Sequence, residues 1–191
     1  LIMNKRTYLG LIMTEGFVFS IILTIGLSIG RIVDVFLLSA GMASIVGSLY
    51  ILGYAVGSLG ISALLRRLNV KLTVQGALVI NVFCLVLCWI GSKDGNLPLF
   101  ACAWFVAGIT GGLCSGCTMA AASQSSRPEK TFSIIMFFEC LIPMIGIQVI
   151  VYSTTWAGAE ASFLASAVMN GVGAIFAFLY FPNVKFNFSH D

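Results

Sequence analysis

The chain has 191 residues, of which 59% are hydrophobic and 9% are charged, and its formal net charge is +3. A soluble domain usually has about 45–50% apolar and about 25% charged residues, so this composition excludes a water-soluble globular protein. A mean hydropathy of +1.04 indicates instead that the solvent of the chain is lipid. The small net charge offers no support for a nucleic-acid partner.

Six apolar runs are long enough to cross a bilayer, since a helix of about 20 residues spans about 30 Å of hydrocarbon. The predicted spans are residues 8–30, 38–65, 72–91, 98–122, 132–153 and 161–181. We predict helices because lipid offers no hydrogen-bond partner to backbone amides, and because no run alternates as a barrel strand would. The first run is too long for a signal peptide, and five more follow it. The expectation is one all-α membrane domain that covers residues 1–191.

The basic residues lie unequally on the two sides of the membrane that six spans define. Eight of them fall on the side that holds both termini, namely Lys5, Arg6, Arg66, Arg67, Lys71, Arg127, Lys130 and Lys185. Only Arg31 and Lys93 fall on the opposite side. Because basic loops stay in the cytoplasm, we expect both termini and the loops that hold Arg66 and Arg127 to be cytoplasmic.

The segment "SALLRRLNVKLTV", between the second and third spans, has an unusual density of basic residues. Topology alone explains these charges as well as a functional motif does. The segment also resembles the loop motif of major facilitator superfamily transporters, Gly-x-Leu-x-Asp-Arg-x-Gly-Arg-Arg/Lys, which lies at the same place in that family. Leu64, Arg67 and Lys71 match its Leu, its Arg and a terminal cation. Both glycines of the motif are replaced, and Arg66 stands where the motif has Asp.

Three further spans are similar to the same family. The second span, "GSLYILGYAVGSLG", resembles its glycine-rich second helix. The fourth, "AWFVAGITGGLCSG", resembles the pattern Arg-x-x-Gln-Gly-x-Gly, with Gly108 kept and Trp104 at the Arg position. The fifth, "FFECLIPMIGIQ", is similar to the Gly- and Pro-bearing fifth helix through Pro143 and Gly146. The resemblance covers the whole chain, but as six of the usual twelve spans, and it is closest to the amino-terminal half.

The resemblance implies a fold and a partner. Each six-helix half of the family consists of two inverted three-helix repeats, and the two halves rock about a central site. The first and fourth spans would line the cavity, the second and fifth would flank it, and the loop residues Arg66, Arg67 and Lys71 would act in gating. A chain that opens at Leu1 suggests a fragment of a longer protein. If it is complete, a second six-helix unit is needed, either a carboxy-terminal half, a second copy or another membrane subunit.

Small residues recur at four-residue steps in two spans. The rows are Gly53 and Gly57 in the second span, and Gly108, Gly112, Gly116 and Ala120 in the fourth. Lipid provides no hydrophobic drive for helix association, so such rows predict close backbone contact between helices. Sliding of helices during transport needs the same surfaces.

Two acids lie inside predicted spans, where a charge is costly and an ionisable residue is a functional candidate. Glu15 and Glu139 each lie seven residues into a span that starts from the cytoplasm, so we expect both at a depth of about 10 Å. Desolvation favours the protonated form of a carboxyl, so either acid could be a proton carrier. Glu15 is the better candidate, because the resemblance puts its span along the cavity. The alternative for each is a neutral acid that hydrogen-bonds a neighbouring helix.

Other polar groups in the spans are weaker candidates. Thr110, Gln148, Asn81 and Asn170 could bind a solute or bridge helices, and Trp104 could stack on a ligand or fill space. A second set is Ser20, Thr24 and Ser28, at four-residue steps on the first span, which could line a cavity or pack. Arg31 and Asp34 could form a gate pair or a solvated turn.

No metal site or cofactor is predicted. Cys114 and Cys117 have the spacing of a redox or zinc pair, but a structural zinc site needs about four ligands, and the single histidine, His190, lies in the tail. Within an apolar helix, cysteine behaves as a small hydrophobe. Rhomboid-type proteases need a buried Ser and His, and the motifs of mitochondrial carriers, aquaporins and voltage sensors are missing. We therefore expect no enzymatic activity.

Two functions fit the sequence. The first is a secondary active transporter, or half of one, that moves a small solute by alternating access and is coupled to protons through Glu15. The second is a non-transporting subunit that keeps the fold as a scaffold or assembly partner. The replacement of the family's Asp and Arg by Arg66 and Trp104 favours the second, whereas two costly acids, Glu15 and Glu139, favour the first.

Overall fold

The computed structural model describes residues 4–65 and 68–184, apart from the side chain of Leu64. Arg66 and Arg67 of the predicted gating loop lie outside the described residues, as does Lys185. The described part of the chain contains helices and no strand. The helices are α1 (Lys5–Leu23), α2 (Ile25–Phe36), α3 (Ala40–Leu64), α4 (Val70–Lys93), α5 (Leu97–Ser123), α6 (Pro128–Ala157) and α7 (Ala161–Tyr180).

Six of these helices, all except α2, are long and apolar enough to cross a membrane, which confirms the predicted number of spans. Their starts follow from local chemistry. Four helices are preceded by a polar residue whose side chain accepts a hydrogen bond from a backbone N–H of the first turn. These residues are Asn4 before α1, Ser39 before α3, Asn69 before α4 and Asn96 before α5. Such caps satisfy amides that have no partner within the helix. α5 and α6 each have a proline in the first turn, where the backbone N–H that proline lacks would have no partner within the helix.

The first predicted span is not one continuous helix. α1 ends at Leu23 and α2 begins at Ile25, with Thr24 between them at φ −99° and ψ 12°. The Thr24 hydroxyl donates to the carbonyl oxygens of Ser20 at 2.8 Å and Ile21 at 3.3 Å. Hydroxyl bonds of this kind to the preceding turn disturb the regular helix. The interruption at Thr24 divides the span into a long α1 and a short α2 that continues to Phe36.

The helices pack in an order that differs from their order in the chain. α3 packs on α5, α5 on α4, α4 on α7, α7 on α1, and α1 on α6. α1 and α5 also contact each other, so the first and fourth spans meet in the middle of the domain. α2 packs mainly on the start of α3. This arrangement brings α1, α3, α5 and α6 around one point, which is where the candidate site lies.

The closest helix contact is a glycine seam between α3 and α5, defined as Gly53, Gly57, Gly108 and Gly112. A Cβ atom added at Gly112 would overlap the carbonyl oxygen of Tyr54, and one at Gly53 or Gly57 would overlap the backbone of α5. The Ser58 hydroxyl also donates to the carbonyl oxygen of Gly112 at 3.2 Å. The two backbones therefore touch without side chains between them, which confirms the packing interpretation for these four glycines.

We expect Gly112→Leu to destabilise the domain, because the new side chain would hold α5 away from α3. Overpacking of a close contact typically costs about 1–3 kcal/mol. Gly76→Leu is the matched control, since Gly76 is an exposed helical glycine of α4 with open space around its Cα. The measurement is the midpoint of thermal unfolding in detergent. Equal midpoints for the two variants would show that the seam tolerates a side chain.

Candidate functional site

The two intramembrane acids meet in the structure. We call the group Glu15, Tyr54, Ser115, Thr118 and Glu139 the carboxyl cluster; it draws side chains from α1, α3, α5 and α6. Glu15 is fully buried, and Glu139 is 8% exposed. They lie ten and eleven residues into their helices, which corresponds to depths of about 15 and 17 Å. The two acids therefore lie at similar distances from the starts of their helices, as expected, but farther in than the predicted 10 Å or so, because α1 and α6 begin three and four residues before the predicted spans.

Glu15 is held by a hydroxyl of the fourth span. Ser115 Oγ donates a hydrogen bond to Glu15 Oε1 at 2.5 Å. Thr118 lies one turn further along the same face of α5, interacts with Glu15, and donates its own hydroxyl hydrogen to the carbonyl oxygen of Cys114 at 2.9 Å. Glu15 Oε2 is buried and has no hydrogen-bond partner among the described residues.

Glu139 approaches Glu15 from α6. The two carboxyl groups lie within hydrogen-bonding reach of each other, and both interact electrostatically with the half-buried Tyr54 of α3. Within residues 4–65 and 68–184 the only ion pair is Arg31–Asp34, at 3.6 Å. Arg31 lies sixteen residues beyond Glu15, in α2 on the other side of Thr24. The site thus holds two acids and hydroxyl groups without a basic side chain.

Two hydrogen bonds fix α1 and α2 against α6 on either side of the acids. The hydroxyls of Tyr8 and Thr131 bond at 3.2 Å, and Arg31 Nη2 donates to Thr154 Oγ1 at 3.1 Å. Each pair is separated by 123 residues in the chain, so the first and fifth spans run parallel with a constant register. Glu15 and Glu139, 124 residues apart, lie between these two bonds. The register of the spans therefore brings the acids together.

Trp104 lies in the core of the domain. It is 1% exposed, and its Nε1 donates to the carbonyl oxygen of Gly47 at 3.2 Å. Its ring centroid is 4.8 Å from that of Tyr50, 5.7 Å from Phe100 and 5.8 Å from Phe163. The structure thus places this candidate among aromatic neighbours, which fits the space-filling alternative, and separate from the carboxyl cluster.

Thr110 and the two asparagines bond within or between helices. Asn81 Nδ2 donates to the carbonyl oxygen of Ala107 at 2.8 Å and to Thr110 Oγ1 at 3.1 Å, so this pair bridges α4 and α5. Asn170 Nδ2 donates to the carbonyl oxygen of Ser166 at 3.0 Å within α7. These contacts fit the helix-bridging and structural alternatives for Thr110, Asn81 and Asn170.

Gln148 lies apart from the acids, on the exposed side of α6. It is nine residues beyond Glu139, or about 14 Å along the helix, and it lines a surface pocket of about 550 Å³ with Tyr152 and Thr155. Lys71 lies in the first turn of α4, at the end of the domain next to the predicted gating loop. The structure therefore groups Glu15 with Glu139 and leaves Gln148 and Lys71 at separate places.

The remaining polar candidates lie on the first predicted span or just beyond its end, and the three hydroxyl candidates hydrogen-bond to the backbone of that same span. The hydroxyls of Ser20, Thr24 and Ser28 donate to backbone carbonyl oxygens of the preceding turn, and Ser20 and Thr24 are buried. This fits packing better than a cavity lining. Arg31 does more than form a solvated turn, because it bonds Thr154 of α6 as well as Asp34.

Sequence reasoning missed Tyr54, Ser115 and Thr118. The signal available for the last two was their three-residue spacing on the span that resembles a cavity-lining helix, together with the need of a buried acid for hydroxyl donors. Across the described residues no group of three or more His, Cys, Asp or Glu side chains could hold a metal ion, and Cys114 and Cys117 are free thiols.

One comparison with known proteins identifies a family. The sequence model of the Major Facilitator Superfamily matches residues 7–189, which is nearly the whole chain. Among curated proteins, no significant match was found.

Proposed function

Since the chain belongs to the major facilitator superfamily, a family of membrane transporters, we propose that it moves a small solute by alternating access as a six-helix half of a secondary active transporter. Transporters of this type hold solute and coupling-ion sites near the middle of the bilayer and rock two helix bundles about them. The proposal also includes proton coupling, with Glu15 as the carrier.

The carboxyl cluster is the observation on which this proposal depends. A carboxyl at membrane depth is costly, by about 2.5–3.5 kcal/mol for Asp at the centre of a helix on insertion scales. Here two such acids lie at the meeting point of α1, α3, α5 and α6. A fold that needed only helix packing could place apolar side chains there at less cost. Reversible protonation is a function that a carboxyl in this position can perform and an apolar side chain cannot.

A second six-helix unit is part of the proposal, because one half cannot enclose a cavity. Gln148 supports it: its amide is exposed on α6 among apolar side chains, and a polar group at membrane depth normally faces protein or a water-filled cavity. The second unit is a carboxy-terminal half, another copy of this chain or a different membrane subunit. Native mass spectrometry of the purified protein distinguishes these arrangements.

Trp104 supports the alternative function, a scaffold or assembly subunit. At the position where the resembled family has a basic residue, Trp104 packs against Tyr50, Phe100 and Phe163, so that position holds no charged group that could take part in coupling. A scaffold would keep the fold and bind partner subunits without moving a solute. The transport experiment below separates the two functions.

The topology proposed here puts both termini and the loop between α5 and α6 in the cytoplasm, because eight of ten basic residues lie on that side. Single cysteines at two exposed positions test it, Asp94 at the end of α4 and Glu129 at the start of α6, in a variant whose exposed Cys102 and Cys140 are replaced by Ala. In intact cells, an impermeant maleimide should modify the cysteine at 94 and not the one at 129. The reverse pattern would contradict this topology.

We expect Glu15→Gln to separate solute exchange from proton coupling. The amide imitates the protonated acid in shape, so the fold and solute counterflow should be kept while accumulation driven by a pH gradient falls to the background of empty liposomes. The measurement uses purified protein in proteoliposomes with a trapped pH-sensitive dye. Small metabolites are added one at a time to find a solute that moves protons in the native protein.

The control for this experiment is Glu129→Gln, which neutralises an exposed acid at the start of α6 and should leave uptake unchanged. Full gradient-driven uptake by the Glu15→Gln protein would refute its role as carrier. If no solute moves in the native protein, while it binds partner subunits, the scaffold function is favoured.

A further inference from the structure

The two carboxyl oxygens of Glu15 differ, because one accepts a hydrogen bond and the other does not. Ser115 satisfies Oε1, whereas Oε2 is buried, and none of the described residues hydrogen-bonds to it. A buried carboxylate oxygen without a partner is unusual, because the desolvation of such a group is not compensated. Glu139 lies within reach of Glu15, but two ionised carboxyls offer each other only acceptors, so Oε2 needs a proton or another cation as its partner.

The side chains around Glu15 indicate what charge the partner of Oε2 must have. The titratable side chains near it are Glu139 on α6, Tyr54 on α3, and Cys114 and Cys117 on α5. α7, which also packs on α1, contains no acidic or basic residue. None of these side chains is a cation, so the described part of the chain offers no positive charge to the pair.

Two adjacent carboxylates cannot both be ionised in such a site. At a separation of 4 Å, two unit charges repel by about 4 kcal/mol even at an effective dielectric constant of 20. Carboxyl pairs elsewhere solve this problem by sharing one proton, and carboxyl and hydroxyl oxygens are also the ligands that hard metal cations prefer. One positive charge removes the repulsion and also satisfies the free oxygen.

We propose that Glu15 and Glu139 form a single binding site for one monovalent cation, a proton or Na⁺, in which Ser115 positions the Glu15 carboxyl. Glu139 is then as much a ligand of the cation as Glu15 is. This extends the proposed function, since the bound ion would be the coupling ion, but binding itself does not depend on transport.

The assignment of both acids to one site differs from the sequence-based ranking, which favoured Glu15 because of its cavity-lining span. Glu139 contributes the second negative charge and is less enclosed than Glu15, at 8% exposure against 0%. Neutralising either acid leaves one carboxyl, which has no second carboxylate with which to share an ion. Glu15→Gln and Glu139→Gln should therefore each abolish Na⁺ binding or, if the ion is a proton, change the pH at which the remaining carboxyl titrates.

The test measures ion binding to the purified full chain in detergent, without a solute. One arm compares thermal unfolding in NaCl with unfolding in choline chloride of equal concentration. The other records infrared difference spectra between neutral and alkaline buffers free of Na⁺, in which the exposed acids stay ionised and only a carboxyl that still holds a proton at neutral pH changes its carbonyl stretch. A saturable rise in the unfolding midpoint that is specific to NaCl identifies Na⁺, whereas a titrating carboxyl band that is insensitive to NaCl identifies a proton.

We expect one of the two signals in the native protein and in Glu129→Gln. In both Glu15→Gln and Glu139→Gln, the NaCl-specific signal should be lost or, if the ion is a proton, the carboxyl band should titrate at a different pH. Ser115→Ala should keep the signal but weaken ion binding by about tenfold, equivalent to about 1.4 kcal/mol, and Ser115→Thr should restore it. Absence of both signals from the native protein would overturn the proposal. A signal that is unchanged from that of the native protein in either Gln variant would overturn it as well.

Discussion

The burial of two carboxyl groups at membrane depth is the constraint on which the rest of this structure depends. Neither group has a basic partner among the described residues, so the surrounding helices must compensate through hydroxyls and exact placement. The hydroxyl of Ser115 reaches Glu15 because α1 and α5 meet in the middle of the domain. Loss of that contact would leave an unsatisfied polar group in an apolar interior. This costs about 1–3 kcal/mol for a neutral group and more for a charged one.

The glycine seam and the carboxyl cluster are parts of one arrangement. Gly112 touches the carbonyl oxygen of Tyr54, and Ser115 lies only three residues beyond Gly112 on the same helix. Close approach of α3 to α5 therefore sets how near the Tyr54 side chain comes to Ser115 and the acids. In lipid, where apolar surface gives helices no reason to associate, such backbone contact and interhelical hydrogen bonds determine the packing.

The sequence predicted the spans well because their signal is local. Length and hydropathy identify six membrane helices, and the scarcity of acids within them identifies Glu15 and Glu139. The interruption of the first span at Thr24 was not predicted, since it depends on local dihedral angles and hydroxyl bonds. Apolar length alone gives no sign of such an interruption.

The composition of the site could be predicted only in part. Glu15 and Glu139 are 124 residues apart, and their meeting depends on the parallel register of α1 and α6, which hydrogen bonds near both ends maintain. Trp104 and Thr110 were candidates because they lie on the fourth span. Which face of that helix meets which neighbouring helix could not be predicted, because it depends on the packing of the whole domain. Ser115 and Thr118 lie on the face of the same helix that meets α1.

A double-mutant cycle on Glu15 and Glu139 tests most directly whether the two acids act as one unit. Free energies of unfolding in detergent at neutral pH are measured for the native protein, Glu15→Gln, Glu139→Gln and the double variant. If the carboxyls share one charge, the two substitutions should be non-additive by about 0.5–3 kcal/mol, the range for residues in contact. Additivity within about 0.3–0.5 kcal/mol, as for distant sites, would contradict the account.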